Sequence, residues 1–189
     1  MTNKLLVENR ECGDCTACCV ELTIEDPELV KLPGVKCQHL HKQGGCKIYD
    51  HRPKTCRDWY CMWRFMPQLG DEWRPDLKGI MIKRVFNNIP AGYEGKIALN
   101  FEVIGKKSVI HDINFIEVIG GYILQGFPCF LSIGKPRHSL SMVFLNNKLL
   151  PLIGSRNLEL LKTTLSDALK HSTKNLGPKM KIEDGRVVK

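Results

Sequence analysis

The sequence predicts an α+β fold in which a cysteine-rich N-terminal segment docks on a small body of antiparallel strands and two helices. Three observations carry that reading. Eight of the nine cysteines, Cys12, Cys15, Cys18, Cys19, Cys37, Cys46, Cys56 and Cys61, fall in the first third of the 189 residues, and only Cys129 lies beyond. Past "MPQLGDEWRPD" the pattern changes to short apolar runs separated by Asn, Gly and Pro, as strands joined by turns require. Two later stretches carry helix start signals and helical spacing instead. The chain thus divides into residues 1–70, a cysteine-rich segment, residues 71–174, an α+β body, and residues 175–189, an aperiodic tail expected to be mobile.

Taken in order, the strand-like runs are KGIMIKRVF (78–86), KIALNFEVI (96–104), CFLSIG (129–134) and SLSMVFLN (139–146). The first helix is expected within HDINFIEVIGGYILQG (111–126), with Asp112 as its N-cap and Gly120-Gly121 as a weak point. A second is expected within SRNLELLKTTLSDALKHSTK (155–174). Here Ser155 is the expected cap, Leu158, Leu161, Leu165 and Leu169 form the apolar stripe, and Lys170 and His171 suit the C-terminal end of the helix dipole. No internal repeat is visible.

A chain of this length can bury a proper core without cross-links. The first residues, MTNKLLVENR, contain no apolar signal-peptide core, and no run of about 18 apolar residues occurs anywhere. The expectation is a cytoplasmic protein with no membrane association, in which clustered thiols bind metal or do redox chemistry rather than form structural disulfides. The net charge of +8 is spread out: residues 31–100 carry thirteen basic and six acidic side chains, and residues 101–189 thirteen and seven. Ionised cysteines carrying metal would offset part of that excess.

Cys12, Cys15 and Cys18 form C-x2-C-x2-C, a spacing by which one short loop offers three thiolates to an iron–sulfur cluster and leaves a fourth ligand to come from elsewhere. If the stretch were helical, about 100° per residue would instead gather Cys12, Cys15 and Cys19 on one face. In either geometry the vicinal pair divides, so Cys18 and Cys19 can serve two metals, or one can bind while the other buttresses. The remaining cysteines, Cys37, Cys46, Cys56 and Cys61, are far apart and lie near Gly, Pro or polar loops, as suits ligands that converge from separate loops. A helix beginning near Pro53 would present Cys56, with Cys61 turned away from it. His39, His41 and His51 could replace a thiolate in a zinc site but read better as surface residues. Arg52 and Arg57 could hold loops around a net-negative centre. Cys129, inside GFPCFLSIG, reads as a small buried hydrophobe.

The combined pattern, C-x2-C-x2-C-C followed by Cys37 with Leu40 and then CKIYDHRPKTCR at 46–57, resembles the CxxCxxCC cysteine-cluster (YkgJ-type) family, described as a zinc- or iron-chelating domain. The match covers roughly residues 12–63, with WRPDLKGIM as a family-like continuation. The resemblance implies chelation by Cys12, Cys15, Cys18, Cys19, Cys37, Cys46 and Cys56. Cys61 joins them on its position alone. A similar cluster occurs in flagellin lysine methylases, which are longer than this chain.

The sequence therefore leads to a metal-binding protein whose cofactor is zinc or an iron–sulfur cluster (4Fe-4S), with a protein or small-molecule partner that the sequence does not identify. The alternative is a cluster-dependent enzyme related to those methylases, with Tyr49, Arg52, Arg57 and Trp59 beside the thiolates. A third reading, a nucleic-acid-binding zinc module using Lys36, Lys42, Lys47, Lys54 and Arg57, is opposed by the interleaved Asp50 and Asp58 and by the absence of a finger spacing.

Overall fold

The N-terminal segment is assembled from short pieces. In the computed structural model, which describes residues 6–155 and 157–189, helix α1 (Ala17–Glu21) leads into a hairpin of β1 (Ile24–Asp26) and β2 (Leu29–Lys31). A turn-rich stretch follows, then α2 (Lys54–Asp58) and α3 (Pro75–Lys78), with single 3-10 turns at Tyr49–His51, Met62–Phe65 and Asp71–Trp73. Helix α2 starts behind Pro53 as expected, but its N-terminus is capped from a distance. Oδ2 of Asp26 accepts from the Thr55 N–H at 3.0 Å, which ties α2 to the β1–β2 hairpin.

The body is a sheet of β3 (Ile80–Val85), β4 (Ala98–Val103), β5 (Cys129–Ile133) and β6 (Val143–Phe144) in that spatial order, with helix α4 (Ile113–Leu124) between β4 and β5. Every residue of β4 is buried, so both faces of this strand are covered. Alternation sends Leu99, Phe101 and Val103 to one face and Asn100 and Glu102 to the other. Phe101 meets Phe115 and Tyr122 of α4 at centroid separations of 6.0 and 6.3 Å, which identifies the helix-covered face. The opposite face is partly polar: Asn100 donates to Oγ of Ser132 at 2.9 Å, and Glu102 pairs with Lys83 at 2.6 Å. Met81 pairs with Glu102 in register, lies on that same face, and lines the cysteine cavity described below. The cysteine cavity and α4 therefore lie on opposite faces of one sheet.

Three details correct the sequence expectation. The sheet is mixed, because β4 pairs with β5 in parallel. A helix placed between two neighbouring strands carries the chain back to its starting edge, and parallel pairing follows. Residues 71–174 also hold the short α3 at their start and α5 (Asn146–Ser155) ahead of α6 (Leu158–Lys174). Pro151 and Gly154 inside α5 hide its helical pattern, and the expected strand at 139–146 shrinks to Val143–Phe144. Finally, Ser155 ends α5, and the cap of α6 is Asn157, whose side chain accepts from the Leu160 N–H at 3.0 Å. Asp112 caps α4 as expected, accepting from Asn114.

The tail forms a second small hairpin, β7 (Lys181–Glu183) with β8 (Arg186–Val188). Asp184 and Gly185 both take positive φ, 48° and 73°, which is the two-residue turn whose twist suits a hairpin. The Val187 N–H donates to Glu25 at 3.3 Å, bringing this hairpin against the cysteine-rich segment. Among the described residues, no helix is long and apolar enough to cross a membrane.

Candidate metal centre

Cys12 and Cys15 lie on a tight loop closed by the Cys15 N–H donating to the Cys12 carbonyl at 2.9 Å. Cys18 and Cys19 follow in the first turn of α1, so the stretch is neither wholly loop nor wholly helix. A hydrogen bond from the Cys37 N–H to the Cys19 carbonyl, 2.9 Å, docks the next loop on α1. That loop doubles back on itself, with a bridge between Leu40 and Cys46 and a bond from the Lys47 N–H to the His39 carbonyl at 2.8 Å. At its tip Gly44 has φ of +96°, and a Cβ there would come within 3.1 Å of the Asp14 carbonyl oxygen; glycine permits both the turn and the approach of the two loops. Cys56 is carried by α2, and Cys61 stands at the start of the 3-10 turn at Met62–Phe65.

These pieces converge. All eight sequence-predicted cysteines, Cys12, Cys15, Cys18, Cys19, Cys37, Cys46, Cys56 and Cys61, line one cavity of about 160 Å³. That is about ten times the space a single water needs. All eight are free thiols, as is Cys129. Cys61, predicted to point away from Cys56, is buried yet still reaches the cavity wall. Among the described residues, no three Cys, His, Asp or Glu side chains stand in an arrangement that would already hold a metal ion. The thiols share a wall without being drawn into a cage.

Cys129 is elsewhere. It pairs with Leu99 in register, on the helix-covered face of the sheet, and is fully buried in the main core. Its neutral thiol is favoured by that burial. Of the three histidines, His39 lines the cavity, whereas His41 and His51 do not. Tyr49, Arg52 and Trp59 line it, and Arg57 does not. Arg52 donates to the Tyr49 carbonyl at 2.9 Å and lies over the Tyr49 ring at 3.9 Å, which fixes the loop between Cys46 and Cys56.

The electrostatics of the wall are uneven. Burial pushes the Cys15 thiol up to about 12 and the Cys61 thiol up to about 11, and it raises Cys46 and Cys56 as well. The vicinal pair shares a hydrogen bond between its sulfurs. This bond holds the proton on Cys18, raising it further, and lowers Cys19 to about 7 against the opposing effect of burial. Lys31 and Arg52 add their positive charge to the stabilisation of the Cys19 thiolate.

Lys31, Arg10 and Asp76 were not singled out in the sequence. Lys31 is buried, and its ammonium donates to the carbonyls of Val20 at 2.8 Å, Leu32 at 3.1 Å and Val35 at 2.8 Å. A lysine in a three-residue strand gives no sequence signal for such a place. Arg10 stacks on Trp63 at 4.8 Å and donates to the carbonyls of Trp63, Met66 and Leu69, clamping the stretch after Cys61. Asp76 hydrogen-bonds the Cys15 thiol and pairs with Arg74 at 2.7 Å, while Arg74 also reaches Asp14 at 2.9 Å. Comparison of the chain with family models, curated proteins and solved structures finds no match in any of the three.

Proposed function

We propose that this protein binds metal, as zinc or an iron–sulfur cluster, through the eight cysteines of its N-terminal third. One observation carries the reading: thiols from separate loops and helices meet at a single cavity without forming disulfides. The donor set suits both groups, since thiolate sulfur is the preferred ligand of structural zinc and of iron–sulfur clusters. Zinc would contribute folding energy to loops that have little apolar burial of their own, whereas an iron–sulfur cluster would supply one-electron transfer. Around either group, Lys31 and Arg52 offset negative charge, Asp26 and Arg10 fix the segments that carry Cys56 and Cys61, and Gly44 lets the loop carrying Cys46 approach the one carrying Cys12 and Cys15.

Elemental analysis of protein purified without oxygen tests this, with acid-labile sulfide separating the cluster from zinc. Metal at one or more atoms per chain is expected, lost or sharply reduced in Cys15→Ala and unchanged in Cys129→Ala. Protein that lacks both zinc and iron while all eight thiols titrate freely in the native state would overturn the proposal, and metal kept by Cys15→Ala but lost from Cys129→Ala would overturn the choice of ligands.

A further inference from the structure

Resting on that metal-binding reading, we infer that the cavity holds two four-thiol centres: Cys12, Cys15, Cys18 and Cys61 form the first, and Cys19, Cys37, Cys46 and Cys56 the second. The vicinal pair is the boundary between them.

Packing separates five of the eight cysteines along this line. Cys15 and Cys61 belong to the main apolar core, alongside Ala17 and Trp63. Cys19, Cys37 and Cys56 belong to a separate cluster built on Ile24 and Leu29, with Leu40 beside them. The backbone draws the same line. Cys15 bonds back to Cys12, whereas Cys37 bonds to Cys19, and the Leu40–Cys46 bridge brings Cys46 onto the loop that begins at Cys37.

The sets meet at Cys18 and Cys19, which share the first turn of α1.

Ligand counting explains why the doubling is needed. A closed zinc site takes four ligands, and a cubane cluster takes four thiolates, so either chemistry in a single centre would leave half of these cysteines unused. Adjacent side chains on a helix point about 100° apart, which lets one dipeptide face two centres.

Cobalt(II) titration of the metal-free full-length protein tests the division, because tetrathiolate cobalt is read directly from its visible absorption. Two equivalents per chain are expected. Cys12→Ser/Cys61→Ser and Cys46→Ser/Cys56→Ser should each keep one equivalent with the tetrathiolate spectrum, and Cys12→Ser/Cys46→Ser should keep none. The three variants lose equal numbers of thiols, and hydrogen exchange of β3, β4 and β5 verifies that the sheet is intact in each. Saturation of the wild type at one equivalent, or a full tetrathiolate site surviving in Cys12→Ser/Cys46→Ser, overturns the division while leaving metal binding standing. No cobalt uptake by the wild type overturns the metal-binding reading and the division with it.

Discussion

The two faces of the sheet are covered by regions held in place in different ways. On one side α4 packs through Phe115, Ile116, Ile119, Tyr122 and Ile123, all buried, against strands whose residues are themselves buried. Apolar area alone accounts for that contact. On the other side the cysteine-rich segment has, among the described residues, no helix longer than five residues; Ala17, Cys61, Trp63, Met66 and Leu69 join the main core, and Ile24, Leu29 and Cys37 form a small separate cluster. The parts outside that core are fixed by side chain to backbone bonds, from Arg10, Lys31 and Asp26, arranged around a cavity walled by thiols. A region organised around a cavity depends on what fills it, and a region organised around packed side chains does not.

The largest effect should come from removing metal. Chelation is expected to leave residues 12–63 exchanging amide hydrogens quickly while β3, β4, β5 and α4 keep their protection, because the loops then have only protonated or mutually repelling thiols at their centre. Hydrogen exchange followed by mass spectrometry reads both regions in one sample. Equal protection of the two before and after chelation would erase the contrast.

A smaller effect tests the electrostatics inside the cysteine-rich region. Lys31→Met leaves the carbonyls of Val20, Leu32 and Val35 without their donor and removes a positive charge near Cys19. The expected cost is about 2 kcal/mol of stability. In the metal-free wild type, alkylation of Cys19 should rise through a midpoint below that of an ordinary thiol, since the Cys18 hydrogen bond favours its thiolate. Its folded value lies below the ordinary thiol value of 9.0, so its contribution to stability is complete above that value and is lost as pH falls through about 7. Lys31→Met should move the alkylation midpoint upward. A midpoint unchanged by the substitution would mean that the Cys18 hydrogen bond and Arg52 set Cys19 without Lys31.

The same contrast decides what could be read from the sequence. Body elements announce themselves locally: the apolar runs at 80–85, 98–103 and 129–133 are strands, and Asp112 caps α4 where its type and position indicate. Where local signals conflict, as with Pro151 and Gly154 in α5, the element was missed. The Asp-Gly turn at 184–185 was a legible signal that composition of the tail concealed. At the cavity, the identity of the eight cysteines was visible because residue type carries the chemistry. Their convergence was expected from the spacing, but the contacts that bring it about, such as Asp26 with Thr55 and Lys31 with Val20, join residues with no periodic relation and could not be read. The spacing divides Cys18 from Cys19 without fixing which joins Cys12 and Cys15; the packing of Ile24 and Leu29 gathers Cys19 with Cys37 and Cys56.

The smallest effect belongs to the body and probes whether its elements follow local rules even where the sequence offered two choices. Ser155 and Asn157 are both good N-cap types, two residues apart before α6, and only the backbone decides between them. Asn157 accepts from the Leu160 N–H, whereas Ser155 donates its hydroxyl to the Leu152 carbonyl at the end of α5. Asn157→Ala should therefore lower stability by about 1 kcal/mol, read as a shift of the urea midpoint with unchanged slope. Ser155→Ala loses one exposed hydroxyl bond and should stay within about 0.5 kcal/mol of the wild type. Neither should change metal content, since both lie at the α5–α6 junction and neither lines the cysteine cavity. If Ser155→Ala proves the more damaging, α6 begins earlier in solution than at Leu158; if either substitution releases metal, the two regions are coupled through the sheet rather than separately maintained.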